Sequence, residues 1–133
     1  MDEQAGLSDQ YRKASPWPVF VALGLAVSEV GVLFGVLPLA VGGLLLFGAS
    51  VAGVLREADY VERPWGTLAA FGVVLVAAGA LAIWARLPSG GPSVAALLDP
   101  ANGVAYRGLA IALAGAIMLS TGTAARYLER DAA

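Results

Sequence analysis

An apolar stretch of 39 residues constrains this chain more than any other feature of its sequence. Residues 17–55 carry a single charge, on Glu29. As one α-helix they would extend roughly 58 Å, about twice the thickness of the hydrocarbon core of a bilayer. Gly35 and Pro38 interrupt the stretch near its middle, and both residue types disfavour a continuous helix. The sequence therefore predicts two membrane-spanning helices joined by a tight turn.

Two further apolar segments bring the predicted number of spans to four. A charged stretch at 56–64 precedes the third span, and a stretch rich in proline and glycine at 87–105 precedes the fourth. Within the latter, Ser93 is a candidate N-cap for a short helix. The expected transmembrane helices cover about 17–36, 38–55, 65–86 and 106–127. We therefore expect an all-α integral membrane protein of two helical hairpins, with a tail at 1–16, a transmembrane domain at 17–128 and a tail at 129–133.

Composition agrees with this class and excludes several kinds of chemistry. Hydrophobic residues make up 59% of the chain and charged residues 14%, against roughly 25% charged in a soluble domain. The chain has no His and no Cys, so the usual ligands for haem, copper, zinc and iron–sulfur clusters are absent. We expect no cofactor, no metal and no catalytic activity. With a net charge of −2 and no basic run longer than two residues, nucleic-acid binding is not expected either.

The distribution of basic residues predicts the orientation in the cell membrane. Six of the eight fall on the side of the two termini: Arg12, Lys13, Arg56, Arg63, Arg126 and Arg130. The opposite side holds Arg86 and Arg107. By the positive-inside rule, both termini of this multi-pass protein are expected to be cytoplasmic. Aromatic residues at the expected span ends are candidate interface anchors: Trp17, Trp65 and Tyr127 on the inner side, Trp84 and Tyr106 on the outer side.

Glu29 is the one ionisable residue inside a predicted span. It lies in the outer half of the first span, about 9 Å from the turn at Gly35. A charge near the bilayer centre costs about 2.5–3.5 kcal/mol on insertion scales, so such residues are often functional. Glu29 is either a proton-carrying or substrate-pairing carboxylate, or a structural residue that bonds a neighbouring helix. The available partners are Arg86 and Arg107, of which we prefer Arg86.

Small residues form a stripe on the first and on the fourth span. The first stripe contains Gly24, Ser28, Gly31 and Gly35, and the second contains Gly108, Ala112, Gly115 and Gly122. Small residues let helix backbones approach closely in lipid, so packing within the chain is the expected role. Glu29 lies roughly 130° around its helix from the centre of the first stripe, and it should therefore face a different neighbour.

Three segments carry a resemblance to a known family. They read LSDQYRKASPWP at 7–18, SEVG at 28–31 and READYVERPW at 56–65. Together they resemble the haloarchaeal cox cluster protein, a small membrane protein encoded with haem–copper cytochrome oxidase genes. The resemblance covers residues 7–65, and the second hairpin is similar in hydropathy only. It implies a haem–copper terminal oxidase as partner, with Tyr11, Arg12, Tyr60 and Arg63 as candidate docking residues.

Two functions of different class therefore remain open. The first is a non-catalytic accessory subunit or assembly factor of a terminal oxidase, which acts through transmembrane helix packing. The alternative is a small proton-coupled four-helix exporter that uses Glu29. Its likeness to small multidrug resistance transporters is one of architecture alone. The residues beside Glu29 on its helix face include no aromatic that would line a substrate cavity.

Overall fold

A computed structural model describes residues 15–86, 93–99 and 103–132, and all regular structure in these ranges is helical. The helices are α1 (Trp17–Phe34), α2 (Leu37–Glu57), α3 (Pro64–Ala85), α4 (Val94–Leu98) and α5 (Gly103–Ala132). All except α4 are long and apolar enough to cross a membrane. The predicted all-α class, with four helices of membrane-spanning length, is confirmed.

Proline and glycine set the helix ends in the first half of the chain. A proline lies in the first turn of α1, α2 and α3, where its missing N–H costs no hydrogen bond. Gly35 follows α1 with a φ of 69°, and the Val36 N–H donates to the Gly31 carbonyl at 2.8 Å. This left-handed residue closes the helix. Gly35 is therefore a helix terminator, not a member of the packed stripe in which the sequence pattern placed it.

Two other helix boundaries differ from the sequence-based expectation. The helix α5 begins at Gly103, three residues before the expected start, and it runs on to Ala132. Inside the loop that precedes it, the Ser93 hydroxyl accepts a hydrogen bond from the Ala96 N–H at 3.1 Å and caps the short helix α4, as its sequence predicts.

The closest packing in the first half of the chain joins α1 to α2. A Cβ added at Gly43 of α2 would lie 2.6 Å from the Cα of Ser28 and 2.6 Å from the carbonyl oxygen of Gly24. A Cβ added at Gly31 of α1 would lie 2.7 Å from the Cα of Ala40. Backbones this close are possible only where a side chain is missing. The stripe at Gly24, Ser28 and Gly31 thus packs within the chain.

The helices α3 and α5 also pack closely through glycine residues. A Cβ at Gly79 would lie 2.5 Å from the carbonyl oxygen of Gly108, and one at Gly72 would lie 2.6 Å from that of Gly115. Ala112 packs against Gly79 as well. Gly108, Ala112 and Gly115 of the α5 stripe therefore face Gly72 and Gly79 of α3. The spacing along the sequence does not predict this role for the α3 glycines.

The core lies where α2 meets α5 and α3. Its buried residues are Ala40, Val41 and Leu44 of α2, Leu68 of α3, and Ala110, Ala114 and Met118 of α5. Tyr106 continues the α5 row one turn earlier and is only 1% exposed. Because α5 begins at Gly103, Tyr106 is already inside the helix and on its buried side. The prediction that Tyr106 anchors the membrane interface does not fit this position.

Candidate functional site

The intramembrane carboxylate of α1 forms an ion pair with α5. Arg107 Nη1 donates to Glu29 Oε1, and the two side chains are 45% and 52% exposed. Glu29 lies five residues before the end of α1, and Arg107 lies four residues after the start of α5. At about 1.5 Å per residue, both are some 6–8 Å from the helix ends at the same end of the bundle. The opposite charge of Arg107 therefore compensates Glu29.

The expectation that Arg86 pairs with Glu29 is wrong. Arg86 directly follows α3, and α3 packs along α5 rather than along α1. Arg107 instead lies on the helix that adjoins α1 at this depth. Sequence order gives the depth of both arginines but does not give the order of helices around the bundle.

A small apolar cleft surrounds the ion pair. Its volume is about 130 Å³, and α1, α2 and α5 form its walls. The residues beside the pair are Leu25, Ser28, Val32, Leu44, Ala110 and Ile111. Pockets for organic ligands are usually about 300–1,000 Å³, so this cleft holds a charge pair but little else. The ion pair in this cleft links α1 to α5 electrostatically, and these two helices otherwise contact each other over a short stretch only.

A second polar cluster occupies the opposite end of the bundle, here called the Arg63 end. Trp65 Nε1 donates to Glu129 Oε1 at 2.7 Å, and Arg63 Nη1 lies 3.4 Å from Glu129 Oε2. These contacts join the start of α3 to the last turns of α5. Nearby, the Ser15 hydroxyl donates to Glu57 at the end of α2. The sequence pattern predicts that Glu129 belongs to a tail. The continuation of α5 past Tyr127 places it on a helix.

Two cavities open at the Arg63 end on either side of Trp65. The larger, about 610 Å³, lies between Trp17 and Trp65, with an apolar interior and charged residues at its mouth. The other, about 480 Å³, is lined by Glu62, Arg63, Trp65, Gly66, Arg126, Glu129 and Arg130. Trp65 lines both, so an apolar space and a mainly basic one adjoin each other.

The remaining predicted residues have varied surroundings. Trp17 is half-buried, with its ring against Gly53, whereas Trp84 and Tyr127 are exposed. Tyr60 is 79% exposed. Of the other candidate docking residues, Tyr11 and Arg12 lie outside the described residues.

The hydrogen bond between Trp65 and Glu129 can be measured by a double-mutant cycle. We expect Trp65→Phe and Glu129→Gln to couple by about 1 kcal/mol in the free energy of unfolding, because Trp65→Phe removes the indole donor and Glu129→Gln removes the charge that strengthens the same hydrogen bond. Trp84→Phe combined with Glu129→Gln is the matched control. Trp84 is exposed and lies at the end of α3 remote from Glu129, so additive effects are expected there. Additivity of the Trp65 pair would contradict the assignment.

Four helices of membrane-crossing length and composition, packed through glycine contacts, define the class of multi-pass helical membrane proteins. Within that class, the chain belongs to DUF7541, a family of unknown function whose model matches residues 1–128. No curated protein and no solved structure matches the chain.

Proposed function

We propose that the protein is a non-catalytic accessory subunit or assembly factor of a haem–copper terminal oxidase. It forms two helical hairpins in the cell membrane with both termini in the cytoplasm. The resemblance of residues 7–65 to the haloarchaeal cox cluster protein supports the choice of partner. The placement of six of the eight basic residues on the side of the termini supports the orientation.

The surface of α1 is the observation that carries a role in helix packing. The face containing Gly24, Ser28 and Gly31 is buried against α2. Outside that face, large apolar side chains are exposed along the whole helix: Val19, Phe20, Leu23, Leu25, Val30, Leu33 and Phe34. The helix α1 therefore has one neighbour along its length and offers an apolar surface for another helix.

Purification through a tag on this chain tests the association. In a mild detergent, we expect haem-containing subunits to copurify, detected by the reduced-minus-oxidised absorbance difference of the eluate. Recovery of the tagged chain without haem contradicts the proposal. An unrelated tagged membrane protein from the same cells controls for carry-over.

A paired substitution tests whether α1 makes the contact. Leu23 and Val30 are exposed and seven residues apart on α1, and Val74 and Leu81 have the same spacing and are exposed on α3. We expect L23A/V30A to reduce the haem recovered per tagged chain by roughly tenfold, because two side chains of the interface are lost. The V74A/L81A control is expected to retain it. Equal recovery from the two variants would exclude α1 as the docking helix.

The exporter alternative depends on Glu29 being available for proton exchange. The position of Glu29 in a cleft between three helices favours the exporter. Its ion pair with Arg107 and the cleft volume of about 130 Å³ do not favour the exporter. Proton-driven uptake of a cationic dye into vesicles provides the test. Under the accessory-subunit proposal, we expect no uptake above that of empty vesicles. Uptake that Glu29→Gln abolishes would favour the exporter.

A further inference from the structure

The smaller cavity of the Arg63 end has an excess of positive charge. Three arginines and two glutamates line it. Glu129 is engaged, since it accepts from Trp65 and faces Arg63. Arg126 and Arg130 lie one turn apart on α5, and neither has a partner within the described part of the chain. Within the described residues, these two guanidinium groups therefore have no carboxylate partner, and they can bind an anion.

The cavity lies beside the apolar part of the bundle. Trp65 is the second residue of α3, and the apolar run of that helix follows it. Tryptophan prefers the headgroup level of a bilayer. Arginines at that level meet phosphate groups, to which the planar guanidinium can donate two parallel hydrogen bonds. The most abundant anion at this depth is the phosphate ester of a phospholipid.

The larger cavity has the polarity that a lipid tail requires. It extends from Arg56 to Ala49 along α2, which is about 10 Å at 1.5 Å per residue. Its charged lining residues are Arg56, Glu57 and Asp59, and its deeper part is bounded by Ala49 and Leu68. The polar end of this cavity is thus at the same end of the bundle as the basic cavity, and its apolar end points into the membrane-spanning part.

We propose that the Arg63 end is a binding site for an anionic phospholipid. Arg126 and Arg130, with Arg63, bind the phosphate ester of the headgroup. An acyl chain passes Trp65 into the cavity between Trp17 and Leu68. This site does not depend on the proposed association with an oxidase, because it needs neither that partner nor the exposed face of α1, and of the candidate docking residues it shares only Arg63.

Thermal unfolding of the delipidated full chain in detergent tests the site. We expect phosphatidylglycerol to raise the melting temperature of the wild-type protein more than phosphatidylcholine does at equal concentration, because choline neutralises the phosphate of the latter. Each arginine near a membrane surface contributes on the order of 1 kcal/mol to binding of an anionic lipid. R126Q/R130Q should therefore need about thirtyfold more phosphatidylglycerol for the same shift.

Two controls make the result decisive. R86Q removes an exposed arginine at the other end of the bundle, and it should respond like the wild type. If the double variant does not fold, R126Q alone is expected to need about fivefold more lipid. Equal responses to the two lipids overturn the proposal, as does an unchanged response of both arginine variants. Inorganic phosphate is the third arm, and a shift as large as that of phosphatidylglycerol would overturn the lipid as source of the phosphate.

Discussion

Replacing Gly43 with alanine is expected to lower the free energy of unfolding by about 3 kcal/mol or more, while the same substitution at Gly42 leaves it unchanged or raises it slightly. The added Cβ at Gly43 would meet backbone atoms of Ser28 and Gly24, which cannot turn away as a flexible side chain can. The helices α1 and α2 would have to separate, and overpacking of this kind costs about 1–3 kcal/mol or more. At Gly42 a Cβ meets nothing within 4 Å, and alanine favours the helix by up to about 1 kcal/mol.

Denaturant titration in detergent micelles, followed by far-UV circular dichroism, provides the measurement for the two glycine variants. The two positions are adjacent on the same helix, so they share depth and helix propensity, but only Gly43 faces α1. Their difference therefore isolates the contact with α1. A Gly43→Ala protein as stable as Gly42→Ala would show that the close approach of α1 and α2 does not hold the fold together.

The second large effect is expected at the Glu29–Arg107 ion pair. Glu29→Gln should lower the free energy of unfolding by about 2 kcal/mol, because Arg107 stays charged and loses the negative charge that compensates it in an apolar cleft. The expected loss of about 2 kcal/mol is smaller than the cost of inserting a charge at the bilayer centre, because both side chains are about half exposed. Arg107→Gln should also lower the free energy of unfolding, because it leaves the Glu29 carboxylate without its ion-pair partner.

A charge swap separates the ion pair from the shape of its side chains. Glu29→Arg combined with Arg107→Glu should recover most of the stability that Glu29→Gln loses, measured by the same titration. Arg86→Gln is the control, since Arg86 has no partner within the described residues and should be neutral. A swapped protein less stable than either single variant would mean that the cleft depends on the geometry of the native pair, and not on its charge.

The sequence predicted part of the candidate site and missed the rest for a physical reason. Glu29 stood out because a lone charge in an apolar span is costly wherever its neighbours lie. Its partner did not, because Arg86 and Arg107 are at similar expected depth and only the helix arrangement separates them. The sequence pattern places Glu129 and Arg130 in a polar tail, since nothing in their composition shows that α5 continues to them.

The same distinction applies to the packing stripes. Gly24, Ser28 and Gly31 could be found from their spacing, because one helix presents them on one face. Spacing does not reveal their counterpart Gly43 on α2. It does not reveal Gly72 and Gly79 of α3 either, because only the contacts between helices show which residues these glycines face.

By itself, the sequence determined the class of this protein, the number of its long helices and the turn at Gly35, because hydropathy, proline and glycine act locally along the chain. The tertiary structure alone decided that Arg107 bonds Glu29 and that Tyr106 is buried. It also brought Arg63, which precedes α3, together with Arg126 and Arg130 of α5 around Trp65. These outcomes depend on which helices are neighbours and how each is rotated, and both are set by contacts between residues far apart in the sequence.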